Sequence, residues 1–295
     1  MQHLTKRFAL TTLLFLGASA QAGVVSTLDY TATVSAGDEA SDSASYLVNA
    51  VGQTADETAL ADDNSGSIAG LAGAQGIAEF TPTELRFGQT TAGVGLHTAT
   101  ATTVMTQQIT NDGPDGVIGT FRSEILAGGL SLIGIGNDTS ISSFDAEAGF
   151  AIDISLDGTS LFSFSASVFS DGTTSQTNLG FLNGLAGNVA ANALSLGWQD
   201  SLLDLDLGVF SADQTKELVL TMSTTTVNNT DCVELAGPCL LASSSIGDPP
   251  GGGFGSVMLF SLYLPPTEVP EPGTAALIGV GVLGLMARRR RAARR

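Results

Sequence analysis

Basic side chains are scarce in this sequence. Its 295 residues hold 11 Lys and Arg against 29 Asp and Glu. Eight of the 11 sit at the two ends: Lys6 and Arg7 near the start, and Arg288, Arg289, Arg290, Arg291, Arg294 and Arg295 at the finish. From Gly23 to Pro270 only Arg86, Arg122 and Lys216 face 28 acids, so this central stretch carries a formal charge of −25. Nucleic-acid binding needs Lys and Arg to neutralise phosphates, which excludes that class of partner. The same charge repels anionic lipid. It suits a soluble protein in a salty or calcium-containing medium, where screening relieves self-repulsion.

Long apolar runs are also missing, except at the ends. Phe8 to Gly17 follows Lys6 and Arg7 and precedes Ala18-Ser19-Ala20-Gln21-Ala22. A positive region, a short apolar run and a small-residue cleavage site make a secretory signal peptide over 1–22, with the mature chain starting at Gly23. The second run, Thr274 to Ala287, is 14 uncharged residues, about 21 Å as a helix. That is short for a hydrocarbon core of roughly 30 Å. The arginines decide the reading: a core helix does not end in six guanidinium groups, whereas a membrane helix is held by cytoplasmic arginines that snorkel to the interface. Ahead of this run, Pro270-Glu271-Pro272 forms an extended hinge, since proline continues neither helix nor strand.

The sequence from Thr267 to Arg295 resembles the PEP-CTERM sorting signal of Gram-negative bacteria. It shares the Pro270, Glu271, Pro272 motif, the short Gly/Leu-rich helix and the flank of Arg288, Arg289, Arg290 and Arg291. The resemblance covers about a tenth of the chain. It implies recognition by exosortase, a membrane cysteine transpeptidase acting at the Pro-Glu-Pro motif. It further implies a transient stay in the inner membrane and delivery to the cell surface or beyond, commonly alongside exopolysaccharide. The alternative is an ordinary C-terminal membrane anchor.

Chemistry-bearing residues are few. Cys232 and Cys239 are the only cysteines, and in an exported chain they read as a disulfide. Zinc would need two further ligands, and His97 is the one histidine outside the leader. No Gly-x-Ser-x-Gly or His-Glu-x-x-His motif occurs, and Lys216 lies beside Glu217 as a solvated pair. Asp145 with Glu147, and Asp204 with Asp206, lie two apart on one strand face, about 6.6 Å along the strand. Inverting glycosidases use a similar separation, but so does any strand with a wet face. Asn111 to Gly116 partly follows a calcium loop, yet Arg122 stands where the bidentate Glu belongs. Asp62-Asp63-Asn64 lacks the loop glycine. Thr98, Thr100 and Thr102 make a single threonine ladder, which ordinary strand propensity accounts for. No metal or cofactor is expected.

Period-two patterning runs through most of the chain. Leu28, Tyr30, Ala32 and Val34 alternate with Thr27, Asp29, Thr31 and Thr33. Tyr46 and Val48 continue a second strand, and Val117 to Ile125 is another. Phe144 to Leu156 and Phe162 to Val168 flank Asp157-Gly158, a hairpin turn signal. Leu96 to Thr110 reads as a long strand or two. Asp56 to Gly76 reads as loop plus a weak strand, and Thr173 to Gly197 as connector. Ser201 to Phe210 and Glu217 to Val227 read as a second hairpin, and Phe254 to Leu264 as the last strand. These segments predict an all-β, antiparallel, two-sheet sandwich of jelly-roll type over 23–266, followed by the sorting tail over 267–295.

The expected function is that of an exported, non-enzymatic surface or matrix protein, with exosortase as partner and acidic exopolysaccharide bridged by calcium as the surroundings. A secreted carbohydrate-binding module is the alternative, and a polysaccharide-active hydrolase the third reading.

Overall fold

The computed structural model describes residues 22–37, 40–63, 70–80, 85–114, 116–136, 139–232, 238–246 and 258–263. The expected leader up to Gln21 and the expected tail, with Pro270, Glu271, Pro272 and Arg288 to Arg291, lie outside these residues. Seventeen strands are described. In chain order they are β1 Ala22–Ala36, β2 Ala40–Val48, β3 Thr54–Asp63, β4 Gly70–Phe80, β5 Leu85–Gly95 and β6 His97–Asn111. Then come β7 Val117–Ile125, β8 Gly128–Ile135, β9 Ala146–Leu156, β10 Thr159–Phe169, β11 Thr174–Thr177 and β12 Asn183–Ala190. Last are β13 Ala193–Gln199, β14 Ser201–Phe210, β15 Thr215–Asn228, β16 Cys239–Ile246 and β17 Met258–Tyr263. Among the described residues no helix is long and apolar enough to cross a membrane.

The strands form two antiparallel sheets. The first has seven strands in the order β11-β10-β9-β15-β6-β1-β2. The second has ten: β12-β13-β8-β16-β5-β17-β7-β14, with β4 on the other side of β5 and β3 beyond it. Strand β5 is shared lengthwise on one edge, since β17 pairs with Leu85 to Phe87 and β16 with Gln89 to Val94. In the first sheet β6 is bonded along its length by β1 on one side and β15 on the other.

Alternation decides which way each strand faces. On β1, Leu28, Tyr30, Ala32 and Val34 are buried while Thr27, Asp29, Thr31 and Thr33 are exposed. On β9, Ala146, Ala148, Phe150, Ile152, Ile154 and Leu156 point inward. The β9–β10 turn has Asp157 at φ 49° and Gly158 at φ 75°. Two successive positive φ angles match the twist of the flanking strands, which is why Asp-Gly stands there.

The inner faces meet in two zones. In the larger, Phe150 lies against Trp198 with ring centroids 4.7 Å apart, joining the sheets. Phe162, Phe164 and Phe181 form an edge-to-face cluster beside them. Each such large side chain, fully buried, contributes roughly 1.5–3 kcal/mol. The second zone is built from small residues: Ala32, Ala36, Ala59, Ala61, Ala72, Ala74, Ala99 and Ala101, with Tyr30 and Val34. Alanine against alanine brings the sheets close, and the backbone must then give way to the tyrosine. A Cβ on Gly76 would stand 2.3 Å from the Tyr30 ring, which is itself stacked on Tyr46 at 4.8 Å.

Four expectations need correction. The jelly-roll likeness is not carried through, because that architecture has eight strands. The excess comes from segments rich in alanine, glycine and small polar residues that form strands instead of loops. Asp56 to Gly76 belongs to the β3–β4 hairpin, and the expected connector after Thr173 contains β11, β12 and most of β13. Ser201 to Phe210 and the following strand are not a hairpin: β14 pairs with β7 in one sheet, β15 with β6 and β9 in the other. Buried Asn111 makes the difference. Its Nδ2 donates to the Phe210 and Ser211 carbonyls, and its backbone is bonded to Asp213 and Gln214, which ties the crossover turn to the end of β6.

The close approach is testable. Gly76→Ala drives a methyl group into a fully buried ring that has no room to move, and should cost about 1–3 kcal/mol. Gly73→Ala, on the same strand but facing out, meets nothing nearer than Leu60 Cδ1 at 3.6 Å and should be close to neutral. Chemical denaturation of the two variants beside the parent checks the pair; equal losses would contradict this account.

Candidate functional site

The cysteines behave as expected. Cys232 and Cys239 form a disulfide with Cα atoms 5.3 Å apart. Cys239 opens β16, so the bond fastens the crossover from β15 in one sheet to β16 in the other. A loop of this size is worth roughly 2.5 kcal/mol in the chain-entropy model.

The carboxylates singled out in the sequence are engaged locally. Asp204 accepts two hydrogen bonds from Arg122, at 2.7 and 3.0 Å. The Arg122 hydrogen bond holds the Asp204 carboxyl below its usual range, so it stays a carboxylate and not a proton donor. Asp206 accepts from the Gly208 backbone at 2.7 Å and shapes a bulge. Asp145 accepts from Asn229 at 3.1 Å, and Glu147 follows it on the outer face of β9. In the calcium-like loop, Asn111 spends its carbonyl oxygen on the Gly113 backbone at 3.1 Å and its amide on the crossover turn. Arg122 lies in β7, and Asp115 falls outside the described residues. Asp62 is exposed at the end of β3, while Asn64 is not described. Among the described residues no group of three His, Cys, Asp or Glu side chains is placed to hold a metal.

Lys216 donates to the Leu207 carbonyl at 3.0 Å, with its ammonium 4.3 Å from the Phe210 ring centroid. It therefore bridges the crossover between sheets instead of serving as a free surface cation.

The threonine ladder is larger than one strand shows. Thr100 lies between Thr33 of β1 and Thr225 of β15, and Thr102 between Thr31 and Ser223. The Thr33 and Thr100 hydroxyls are 2.9 Å apart. Ser43 and Ser45 of β2 extend the same rows. The outer face of the seven-stranded sheet is thus a hydroxyl array. The signal was present as alternating Thr and Ser in each strand, but rows across β1, β6 and β15 require the register.

The outer face of the other sheet differs. Leu71, Val94, Leu241 and Ile133 stand directly opposite one another on β4, β5, β16 and β8. Leu71, Val94 and Leu241, with Leu60, Gly73 and Ala92, border a shallow apolar groove of about 270 Å³. Gly73 and Ala92 leave the floor low, and the leucines and Val94 form the walls.

Inside, His97 is 3% exposed at the start of β6. Its Nδ1 donates to the Gly95 carbonyl at 2.8 Å, which leaves the Nε2 lone pair in the interior without a partner among the described residues. Its ring lies over Gly93, where a Cβ would come within 2.2 Å. Asn228, beside it on β15, also donates to the Gly95 carbonyl at 2.8 Å. Burial lowers the His97 pKa, and the Gly95 hydrogen bond opposes this only in part. The unfolded chain therefore binds the proton more readily than the folded one. The neutral ring's contribution is complete above the unfolded pKa of about 6.5 and is lost as pH falls below it, toward the depressed folded value. His97→Gln should flatten that slope between about pH 7 and pH 5.5, above the range of most carboxylates. Denaturant melts of parent and variant across this window check it; parallel slopes would exclude His97 as the group responsible.

Residues 268–291 match the family model of the PEP-CTERM protein-sorting motif. No curated protein and no solved structure matches the chain. The chain carries a PEP-CTERM protein-sorting motif at its C-terminal end, as the Pro270, Glu271, Pro272 sequence and the Arg288 to Arg291 cluster imply.

Proposed function

We propose that this is an exported, non-enzymatic surface or matrix protein that exosortase sorts through the C-terminal motif. The match at 268–291 carries the reading. The tail enters the inner membrane in transit, with the arginine cluster on the cytoplasmic side. Pro270, Glu271 and Pro272 stand between this segment and the strands, which are described as far as Tyr263. The sandwich then works at the cell surface or outside it.

The finer part of the proposal concerns its surroundings. Carboxylates project outward from both sheets, among them Asp29 on β1, Asp153 on β9 and Asp56 and Glu57 on β3. Such scattered charges bind calcium weakly and many at a time, and the ion can in turn bridge to an acidic exopolysaccharide. Weak multivalent contact retains a protein in a matrix without one tight site.

Changing Pro270, Glu271 and Pro272 together to Ala should leave the chain in the inner membrane of the native cell. Removing residues 268–295 should release it from surface fractions. Fractionation and immunoblotting read both, and a distribution like the parent's would overturn the sorting proposal. For calcium, melts in sodium and calcium chloride at matched ionic strength should show greater stability in calcium. Equal melting temperatures would remove the bridging part alone.

A further inference from the structure

An unpaired strand edge offers backbone N–H and C=O groups to any other chain, and proteins block such edges with charge, bulges or cover. Four of the five edges among the described residues are blocked or short. Strand β14 carries Asp204 and Asp206 and a bulge at Gly208, whose φ is 71°. Strand β3 carries Asp56, Glu57, Asp62 and Asp63. Its Leu60 N–H donates to Asp42 of β2 at 2.9 Å, so β2 and β3 cover each other. Strand β11 is four residues long.

Strand β12 is different. Its sequence, Asn-Gly-Leu-Ala-Gly-Asn-Val-Ala, has no charge and no proline. A register shift lies between Asn183 and Ala186, which leaves Ala186 to Ala190 as a regular ladder against β13. Val189 pairs with Leu194 and Gly187 with Leu196, and both leucines point into the core. Val189 shares that inward face yet is 68% exposed. Among the described residues the sandwich is therefore open at this side, with a core-facing valine uncovered.

Charge identifies the occupant. The 28 residues from Gly172 to Gln199 contain no ionisable side chain, in a central stretch of formal charge −25. Two copies that approach through β12 meet without opposed carboxylates on the strand. The ladder is also self-complementary. Laid antiparallel on itself about Asn188, it sets Ala186 opposite Ala190 and Val189 opposite Gly187 of the second copy. Each exposed valine then covers a glycine and is covered by the neighbouring backbone. Asp200, beyond the Asn183 end, goes to opposite ends of the joint. At about 3.4 Å per residue the two carboxylates lie roughly 30 Å or more apart, well beyond the Debye length at physiological salt.

We propose that β12 is a self-association edge, through which two copies of this chain join antiparallel about Asn188 into one continuous sheet.

Cross-linking of the full chain tests the register. Cys232 and Cys239 are bonded to each other, so an introduced cysteine is the free thiol. Directly opposed residues of an antiparallel pair have Cα atoms about 4.5–5.5 Å apart, within disulfide range. Asn188→Cys should oxidise to a covalent dimer on its own. Ala186→Cys and Ala190→Cys should cross-link to each other in a mixture and not each to itself. Adding Val189→Lys to Asn188→Cys should lower the dimer yield at least tenfold, and raised salt should increase it in the parent sequence. Val189 is exposed, and an unchanged melting temperature would show that the lysine variant still folds. A chain that stays monomeric, or an Asn188→Cys thiol that remains accessible and unlinked, overturns the proposal. So does equal cross-linking by Ser175→Cys on β11, or a dimer indifferent to Val189→Lys.

Discussion

The backbone ladders on either side of β6 hold the first sheet together. Fifteen residues of β6 pair with β1, and fourteen pair with β15. Because side chains alternate along a strand, a slip of one residue in either ladder would turn threonines inward and methionine, isoleucine and alanines outward. The register is therefore fixed by burial of Met105, Ile109, Ala99 and Ala101 on one face and by the hydroxyl rows on the other. The groups packed beneath β6 inherit that register, including His97 at its first residue and Asn111 at its last. Those two end residues do opposite work. His97 is held by a carbonyl of the preceding turn, while Asn111 fastens a turn one hundred residues later.

Side-chain size sets the second constraint. Where the inner faces carry phenylalanine, leucine and tryptophan, the sheets have room and the core is conventional. Where they carry alanine, the sheets close up, and glycine becomes a requirement at Gly76 and Gly93. Tyr30 and Tyr46 are stacked at this join, and burial raises the pKa of both phenols. The narrow zone thus gains specificity from shape, since few side chains fit, and less from buried area.

Much of this was legible in the sequence. Strands β1, β7, β9 and β10 announce themselves through alternation of large apolar with polar residues, and Asp157-Gly158 announces its turn. The disulfide followed from two cysteines in a chain whose sequence reads as exported. Strands β4 and β12 were harder to see because alanine and glycine carry little contrast between faces, and β3 because its alanines are set among four acids. The crossover at Ser211 to Gln214 looked like a hairpin turn, because a turn's local sequence does not say which sheet receives the next strand. That choice rests with Asn111, distant in the chain. For the site the division is similar: the tail motif is local and was readable, whereas the hydroxyl array and the open edge exist only once register and sheet order are known.

Strand β17 lies between β5 and β7, and it alone joins the β7–β14 pair to the rest of its sheet among the described residues. It is also the last described strand, ending at Tyr263, seven residues before Pro270. During synthesis, which proceeds from the N-terminus, the ten-stranded sheet remains in two parts until this segment arrives. Distant pairings are slow to form, and here the final one depends on residues next to the sorting motif. Completion of the ten-stranded sheet thus waits on residues that lie just ahead of the sorting motif.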